Sequence, residues 1–239
     1  MTAAPSLPLR ESVPDFASFG VVAFTTTRAA GDFGLADDEP ADSAALGRWR
    51  ALHLELSSAA PRLASAQQVH GTRILEHGDG WDGWVRVEGA DGHLSRAAGV
   101  ACAVTVADCV PVFIAHPDGT VALLHAGWRG AAARLVTKGI ERLAALGFGP
   151  GELKLHLGPA ICGRCYEVGP EVFEQLTGWK TIRRRHVDLR ALLAEQAKEQ
   201  GVRQITASPH CTRCDNDRFF SHRAGDTERQ VAVIIAPLR

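Results

Sequence analysis

The chain contains 239 residues, 46% of them hydrophobic, and its formal charge is −1 from 26 basic and 27 acidic side chains. The length and apolar content suffice for a sizeable hydrophobic core, while the balanced charge argues against a nucleic acid bound mainly through its phosphates. Because no apolar stretch reaches the roughly 20 residues of a membrane span and the first ten residues lack the apolar segment of a signal peptide, we expect a cytoplasmic protein without a membrane partner.

Segments of β-type and helical patterning alternate along the chain and predict a mixed α/β (α+β) fold. The first 15 residues are rich in Pro, Ser and Ala, and we expect them to form a flexible N-terminal tail. No repeat, linker or domain boundary is evident, so residues 1–239 are predicted to form a single domain. Strands are predicted, in chain order, at 19–26, 65–76, 98–106, 110–116, 121–126, 153–157, 202–207 and 230–236. Helices are predicted at 43–55, 130–147 and 187–200.

The stretch 101–130 is the centre of the chain, because two apolar, β-branched runs there flank the turn sequence PDGT. This pattern predicts a β-hairpin. A hairpin brings the start of its first strand beside the end of its second, so Cys109 and His125 are expected to be neighbours. A helical pattern follows, and its unpaired N–H groups together with Arg129 would form an anion site next to this pair.

A candidate metal site consists of His70, Cys109 and His125, with His70 at a predicted bend beside Gly71. Two imidazoles and one thiolate suit zinc or copper, and three protein ligands leave a coordination position for water. The intervals match no local zinc-finger pattern, and spacing alone favours separate roles as a buried thiol and hydrogen-bonded histidines. A cysteine hydrolase with Cys109 as nucleophile and His125 as base is a third reading, which leaves His70 without a role.

A second candidate site is a double CxxC pattern formed by Cys162 and Cys165 with Cys211 and Cys214. Four thiolates would close the coordination sphere of a structural zinc ion. The gap between the two pairs is longer than the roughly 15–20 residues of a simple zinc ribbon, so the loops would have to meet in space. Without an export signal, independent reduced thiols are the alternative, and a disulfide framework is not expected.

Seven short motifs occur along the chain: QVHG at 68–71, ADG at 90–92, ADCVPV at 107–112, HAGWRG at 125–130, GPAI at 158–161, EVG at 167–169 and FFSHR at 219–223. In order and wording they resemble the YfiH-like family, also called the laccase-domain or multicopper polyphenol oxidase family. The resemblance extends from about residue 19 to the C-terminus, and QVHG, ADC-x-P and HAGWRG together form a specific signature.

The resemblance implies a compact α/β/β/α layered domain in which His70, Cys109 and His125 are the metal ligands, for zinc or for copper. It also implies a purine nucleoside phosphorylase that converts adenosine, inosine or S-methyl-5′-thioadenosine and phosphate into the free base and a sugar 1-phosphate, with adenosine deaminase activity. For the phosphate we choose Arg129, with Arg48 as a second phosphate or substrate contact whose alternative role is surface charge. We expect a monomer, because no exposed apolar stripe is evident.

The chain departs from the family pattern in several places. Gly47 precedes Arg48 where Asn is usual, and the sequence at 34–38 lacks the common Asn-Leu-Gly, which puts a substrate contact from this segment in doubt. The cysteines at 162 and 165 replace a less cysteine-rich loop, and Cys214 is an addition, so a second, structural metal stays open.

Other functions also remain open from the sequence. One, again drawn from the family, is hydrolytic editing of peptidoglycan precursors that carry a wrong amino acid. A binding module stabilised by zinc at the two CxxC pairs is another, and in that case mutation of His70 would matter little. Genuine laccase activity is disfavoured, because ten histidines and six cysteines scattered in this way do not form a recognisable multicopper cluster.

Overall fold

The structure is a computed structural model and describes residues 9–36 and 39–238. The strands in these ranges are β1 (Arg10–Ser12), β2 (Val22–Thr26), β3 (Arg62–Ala66), β4 (Ile74–His77), β5 (Gly83–Val87), β6 (Gly92–Ser95), β7 (Val100–Val106), β8 (Val110–Ala115), β9 (Val121–Ala126), β10 (Lys154–Leu157), β11 (Glu167–Val168), β12 (Arg185–His186), β13 (Gln204–Ala207) and β14 (Gln230–Ile235). The α-helices there are α1 (Ala44–Leu56), α2 (Trp128–Ala132), α3 (Leu135–Ala145), α4 (Pro170–Thr177) and α5 (Leu189–Glu199).

Two six-stranded sheets pack face to face between two helical layers. The first sheet has the order β1-β2-β14-β7-β3-β5 and the second the order β13-β10-β8-β9-β6-β4. Phe113 and Leu123 belong to the core between the sheets, Trp49 of α1 packs on the outer face of the first sheet, and Ile140 and Leu193 of α3 and α5 pack on the second. This arrangement confirms the α/β/β/α architecture.

Strand β14 shows how the sequence produces these layers. Side chains alternate between the two faces of a strand, so Ala232 and Ile234 contribute to the core between the sheets while Val231 and Val233 pack towards α1. Because both faces are covered, the five residues after Gln230 in this strand are all apolar instead of alternating with polar residues. The neighbouring strands of the sheet are β2 and β7.

The predicted central hairpin is confirmed. Strands β8 and β9 pair antiparallel with Val110 opposite Ala126 and Pro111 opposite His125. At the turn, Gly119 has a φ of 86°, a left-handed conformation that costs glycine little. The open end of the hairpin therefore brings Cys109 to the residues that end β9.

Three sequence predictions are wrong in detail. The predicted strand over 65–76 is two strands in different sheets, because the chain crosses between the sheets at residues 67–73. The predicted helix over 130–147 is divided into α2 and α3 at Arg134, whose φ is 59°. The flexible tail over 1–15 does not include Arg10–Ser12, which pairs with β2, and residues 1–8 lie outside the described ranges.

Strand β1 is held by more than its backbone ladder, which explains why this part of the chain is ordered despite its composition. Arg10 forms an ion pair with Glu55 of α1, and Glu11 contacts Arg218. Among the helices of the described ranges, none is long and apolar enough to cross a bilayer.

Candidate metal centre and cleft

The three predicted ligands come together in space. The ligand atoms of His70, Cys109 and His125 all lie within 4.8 Å of one another, and Cys109 Sγ is 3.9 Å from His70 Nε2. His125 is buried, Cys109 is partly buried and His70 is exposed, so the group lies at the inner end of an opening to solvent. A single cation at this position would have three protein ligands and one side facing solvent, as catalytic zinc sites do.

Asp91 fixes two of the three ligands. Its carboxylate accepts a hydrogen bond from His125 Nδ1 at 2.9 Å, which leaves Nε2 of the ring for a cation. The same carboxylate accepts the backbone N–H groups of Val69, His70 and Gly71 at 3.2, 2.9 and 2.6 Å. These bonds hold His70 at a φ of 57°, an unfavourable conformation for a residue with a side chain.

Cys109 is positioned by the residue before it. Asp108 has a φ of 80°, and its carboxylate accepts the hydroxyl of Thr212 at 2.6 Å and the backbone N–H of Arg223 at 2.7 Å. The strained turn that directs the thiol is therefore held by a loop more than 100 residues further along the chain.

The charges of the site favour an ionised thiol. Burial raises the pKa of Cys109, but the charge of His125 and hydrogen bonds from His125 and His70 outweigh burial and lower it to about 6. Burial lowers the pKa of His125, but the Cys109 thiolate and the Asp91 carboxylate raise it to about 9. The two shifts together favour a thiolate beside an imidazolium in the metal-free site, and a cation would replace the imidazolium proton.

The triad opens into a cleft of about 990 Å³. Arg129, Tyr166 and Arg223 lie on its wall, as do Phe33 and Arg86 from the first sheet's side. The Arg129 guanidinium stacks on Trp128 at 4.4 Å from the ring centroid, and no described residue accepts a hydrogen bond from it. Arg129 is thus available to bind an anion close to the triad.

The helix that contains Arg129, α2, contributes less to this anion site than the sequence suggested. α2 has only five residues, because the chain turns at Arg134, so its dipole is short. The anion-binding capacity of this corner depends on the arginine side chain.

Arg48 does not line the cleft, so the expected substrate contact from its side chain is not met. Its guanidinium donates to the backbone carbonyl of Asp32 at 3.2 Å and packs closely against Gly31. Arg48 instead supports the loop 32–36, which does border the cleft.

The four remaining predicted ligands also meet. The Sγ atoms of Cys162, Cys165, Cys211 and Cys214 lie within 4.8 Å of one another, although 49 residues separate the pairs that face each other. Within the described ranges, these are the two groups of three or more His, Cys, Asp or Glu side chains whose ligand atoms lie close enough together to hold a metal ion. The first group has two imidazoles and one thiol, and the second has four thiols.

Sequence reasoning missed several residues that build the site. Asp91, Asp108, Tyr166 and Arg223 were not assigned roles, although each lies in or beside one of the seven motifs. Burial raises the pKa of Tyr166 to about 12, with a further contribution from Cys109, so its phenol is a hydrogen-bond donor. The sequence does contain a signal for these positions: each is a polar residue in or beside a motif and had been given neither a ligand role nor a core role.

Gly127 provides a steric test of the triad. A Cβ atom at this position would lie 2.9 Å from Cys109 Sγ and 3.0 Å from His70 Cδ2. We expect Gly127→Ala to weaken metal binding by about 10-fold or more, because it displaces two ligands by a direct clash. The measurement is a competition titration against a chromogenic chelator.

Gly169→Ala is the matched control for this variant. Both glycines precede a helix with extended backbone dihedrals, but a Cβ at Gly169 meets nothing within 4 Å. Equal metal affinities for the two variants would show that the triad does not hold the ion.

Comparisons with known proteins show the family to which the chain belongs. Residues 29–237 match the family described as multi-copper polyphenol oxidoreductase laccase. A purine nucleoside phosphorylase of Deinococcus radiodurans is 36% identical, over 99% of this chain and 96% of the relative. Adenosine deaminase RL5, from an unknown prokaryotic organism, is 34% identical over 57% of this chain and 58% of the relative.

The fold has a solved counterpart. The crystal structure of the hypothetical protein YfiH of Bacillus licheniformis aligns with a TM-score of 0.86, over 99% of this chain and 98% of that chain, at 23% identity. This likeness shows the fold, while the family match and the identity to the Deinococcus relative extend to the sequence. The chain therefore belongs to the multi-copper polyphenol oxidoreductase laccase family, the YfiH-like family.

Proposed function

We propose that this chain is a zinc-dependent purine nucleoside phosphorylase that also deaminates adenosine. The observation that carries the proposal is a His₂Cys ligand group with one side open to a cleft on whose wall Arg129 lies, without a hydrogen-bond acceptor among the described residues. Relatives named purine nucleoside phosphorylase and adenosine deaminase support the substrate class. The substrates would be small purine nucleosides and phosphate.

The ligand residues fit a catalytic zinc ion better than a structural one. His70, Cys109 and His125 supply three donors of the types zinc prefers, and Asp91 orients His125 as a buried acceptor. When bound, the ion would supply Lewis-acid chemistry at the cleft side of the triad. Copper is the alternative ion for the same donors.

In phosphorolysis, the C1′–N bond to the purine breaks, a C1′–O bond to phosphate forms, and the phosphate proton ends on the departing base. The chain must therefore hold a phosphate dianion beside the sugar. Arg129 has a free guanidinium for this task, and Arg223 lies on the same wall. Tyr166 can donate a hydrogen bond to the nucleoside or the anion from the same side.

The test is an incubation of purified protein with adenosine, inosine or S-methyl-5′-thioadenosine, each with and without phosphate, followed by chromatography. We expect free base and sugar 1-phosphate only when phosphate is present, and inosine from adenosine without it. A muramoyl-amino-acid nucleotide, assayed in parallel, tests the editing alternative. Fully metallated protein that converts no nucleoside would contradict the proposal.

A second function, cysteine hydrolase, is favoured by one observation, the position of Cys109 Sγ within 4.8 Å of a ring nitrogen of His125, where the imidazole lowers the pKa of the thiol. Nucleophilic catalysis needs this thiolate free of metal. Removal of metal by a chelator separates the two functions. Turnover that survives chelation and is lost on alkylation with iodoacetamide would favour the hydrolase, and turnover that is lost on chelation and restored by zinc would favour the metalloenzyme.

Arg129 is the specific test of phosphate binding. We expect Arg129→Ala to raise the KM for phosphate by roughly 10- to 100-fold, the loss that corresponds to a charge-assisted hydrogen bond, and to raise the KM for nucleoside less. Initial rates over a matrix of the two substrate concentrations give both constants. Arg142→Ala, which removes an exposed α3 arginine paired with Glu76, is the control. Equal changes in the two KM values would contradict the assignment.

A further inference from the structure

The four-cysteine cluster, formed by Cys162, Cys165, Cys211 and Cys214, lies outside the proposed catalytic centre and has no part in its chemistry. Its Sγ atoms lie within 4.8 Å of one another, and Cys165 Sγ is 3.4 Å from Cys214 Sγ. From these distances and the chemistry of thiolates, we infer that this cluster binds a second, structural zinc ion.

The distances between the sulfur atoms fit one ion. Zinc binds cysteine sulfur at about 2.3 Å in a tetrahedron, which places the sulfurs roughly 3.8 Å apart. A maximum separation of 4.8 Å allows this with small side-chain rotations and leaves no space for a cluster of several metal atoms. Four protein thiolates also leave no position for water or substrate, so the site is structural.

The local backbone orients one of the four sulfurs. The N–H groups of Cys162 and Cys214 both point at Cys211 Sγ, at 3.3 and 3.4 Å. N–H donors aimed at sulfur stabilise a thiolate and orient it, as partners of metal ligands do. Each CxxC pair also lies in a tight turn, and the turn at 162–165 is closed by a hydrogen bond from the Cys165 N–H to the Cys162 carbonyl at 2.9 Å.

A disulfide is the competing chemistry for this cluster, and the geometry disfavours it. Cys165 Sγ and Cys214 Sγ are 3.4 Å apart, whereas a disulfide bond is about 2.05 Å long. A bond between Cys165 and Cys214 would also leave Cys162 and Cys211 as a second close pair without a role. A metal uses all four residues at once.

The position of the cluster indicates what the ion stabilises. The cluster lies between two loops that are distant along the chain, at residues 158–166 and 208–223. Ile161, directly before Cys162, donates its N–H to the Asp108 carbonyl at 3.1 Å. Thr212, directly after Cys211, donates its hydroxyl to the Asp108 carboxylate. Both loops therefore hold the residue that precedes the catalytic-site ligand Cys109.

The same two loops form one wall of the cleft. Tyr166 comes directly after Cys165, and the Arg223 guanidinium lies over the Tyr166 ring at 5.0 Å. An ion in the four-cysteine cluster would fix the two loops relative to each other and so keep this wall in place. The site thus stabilises the cleft without contacting substrate.

The test uses the Cys109→Ala variant of the full-length protein, in which the catalytic-site ligand is absent and only the four-cysteine cluster remains. We expect this variant to retain one zinc ion per chain after dialysis, measured by mass spectrometry of the metal. Adding Cys165→Ser and Cys214→Ser should reduce zinc to none and lower the thermal midpoint by at least about 5 °C. Cys102→Ala in the same background, which removes a buried cysteine outside the cluster, should keep the ion.

A second measurement does not depend on the folding of the serine variants. Cobalt added to metal-free Cys109→Ala protein should give the intense charge-transfer bands of tetrahedral thiolate coordination. Absence of both zinc and this spectrum in Cys109→Ala protein would overturn the inference. An intact mass of the unreduced protein 2 Da below that expected for free thiols would also overturn it, because it would show a disulfide.

Discussion

Replacing Cys109 with alanine is expected to remove one metal ion per chain and to reduce nucleoside turnover by more than about 100-fold. Loss of residues that merely orient metal ligands costs 10- to 100-fold, and Cys109 is itself a ligand of the proposed ion. Cys109 is also the one anionic ligand of the His70, Cys109 and His125 group, so its removal changes the charge of the whole centre. Metal content and initial rates of base release, measured on the same preparation, check both effects.

Cys102→Ala is the control for this substitution. Cys102 is buried in β7 within the core between the sheets, and burial raises the pKa of its thiol to about 12. A neutral, inert thiol of this kind contributes packing alone, so Cys102→Ala should retain metal and turnover. Cys109→Ala protein with normal turnover would contradict the assigned role of the triad.

Asp91→Asn is expected to weaken metal binding by about 10- to 100-fold and to destabilise the protein by about 1–3 kcal/mol. Burial raises the pKa of Asp91, but hydrogen bonds from His125 and from the N–H of Gly71 outweigh burial, so its pKa is below the usual value. An asparagine places an NH₂ group where a carboxylate oxygen now accepts protein donors. One buried donor is then left without an acceptor, and the orientation of the metal ligand is lost.

Asp118→Asn is the matched control, because Asp118 also accepts a backbone N–H but lies at the turn of the β8–β9 hairpin, at the opposite end from the triad. Urea unfolding gives the stability of both variants, and a chelator titration gives the metal affinity. Asp91→Asn should change both quantities, and Asp118→Asn only the stability. An unchanged metal affinity in Asp91→Asn protein would show that Asp91 does not orient the ligands.

The central hairpin and the elements with strong periodicity were predictable from the sequence. The PDGT turn between two apolar runs determines the β8–β9 pairing, and this pairing alone brings Cys109 beside the end of β9. The helix predicted over 43–55 is α1, and the Ser43 side chain caps it by accepting the N–H of Leu46. In these cases short-range chemistry decides the structure.

The grouping of His70, Cys109 and His125 could not be predicted from local sequence chemistry alone. His70 joins Cys109 because the chain crosses between two sheets, and no spacing rule encodes that crossing. The single strand predicted over 65–76, with a bend at His70, is wrong for the same reason: the chain changes sheets there, and the carboxylate of Asp91 accepts the N–H of a His70 in the left-handed conformation. The motif resemblance supplied this long-range information.

Arg48 and Arg129 show the same limit for charged residues. From the sequence, each of them could contact phosphate or be a surface charge, because an arginine on a helix can have either role. Only the structure separates them, with Arg48 donating to the Asp32 carbonyl and Arg129 on the wall of the cleft. Which face of a helix meets a cavity depends on packing between distant elements.

The most direct measurement is an anomalous-difference map at the zinc edge from a crystal of protein that has seen no added metal or chelator. The account predicts a peak at bonding distance, about 2.0–2.3 Å, from Cys109 Sγ, His125 Nε2 and a ring nitrogen of His70. No peak at this position, or a peak that these three side chains do not contact, would contradict it.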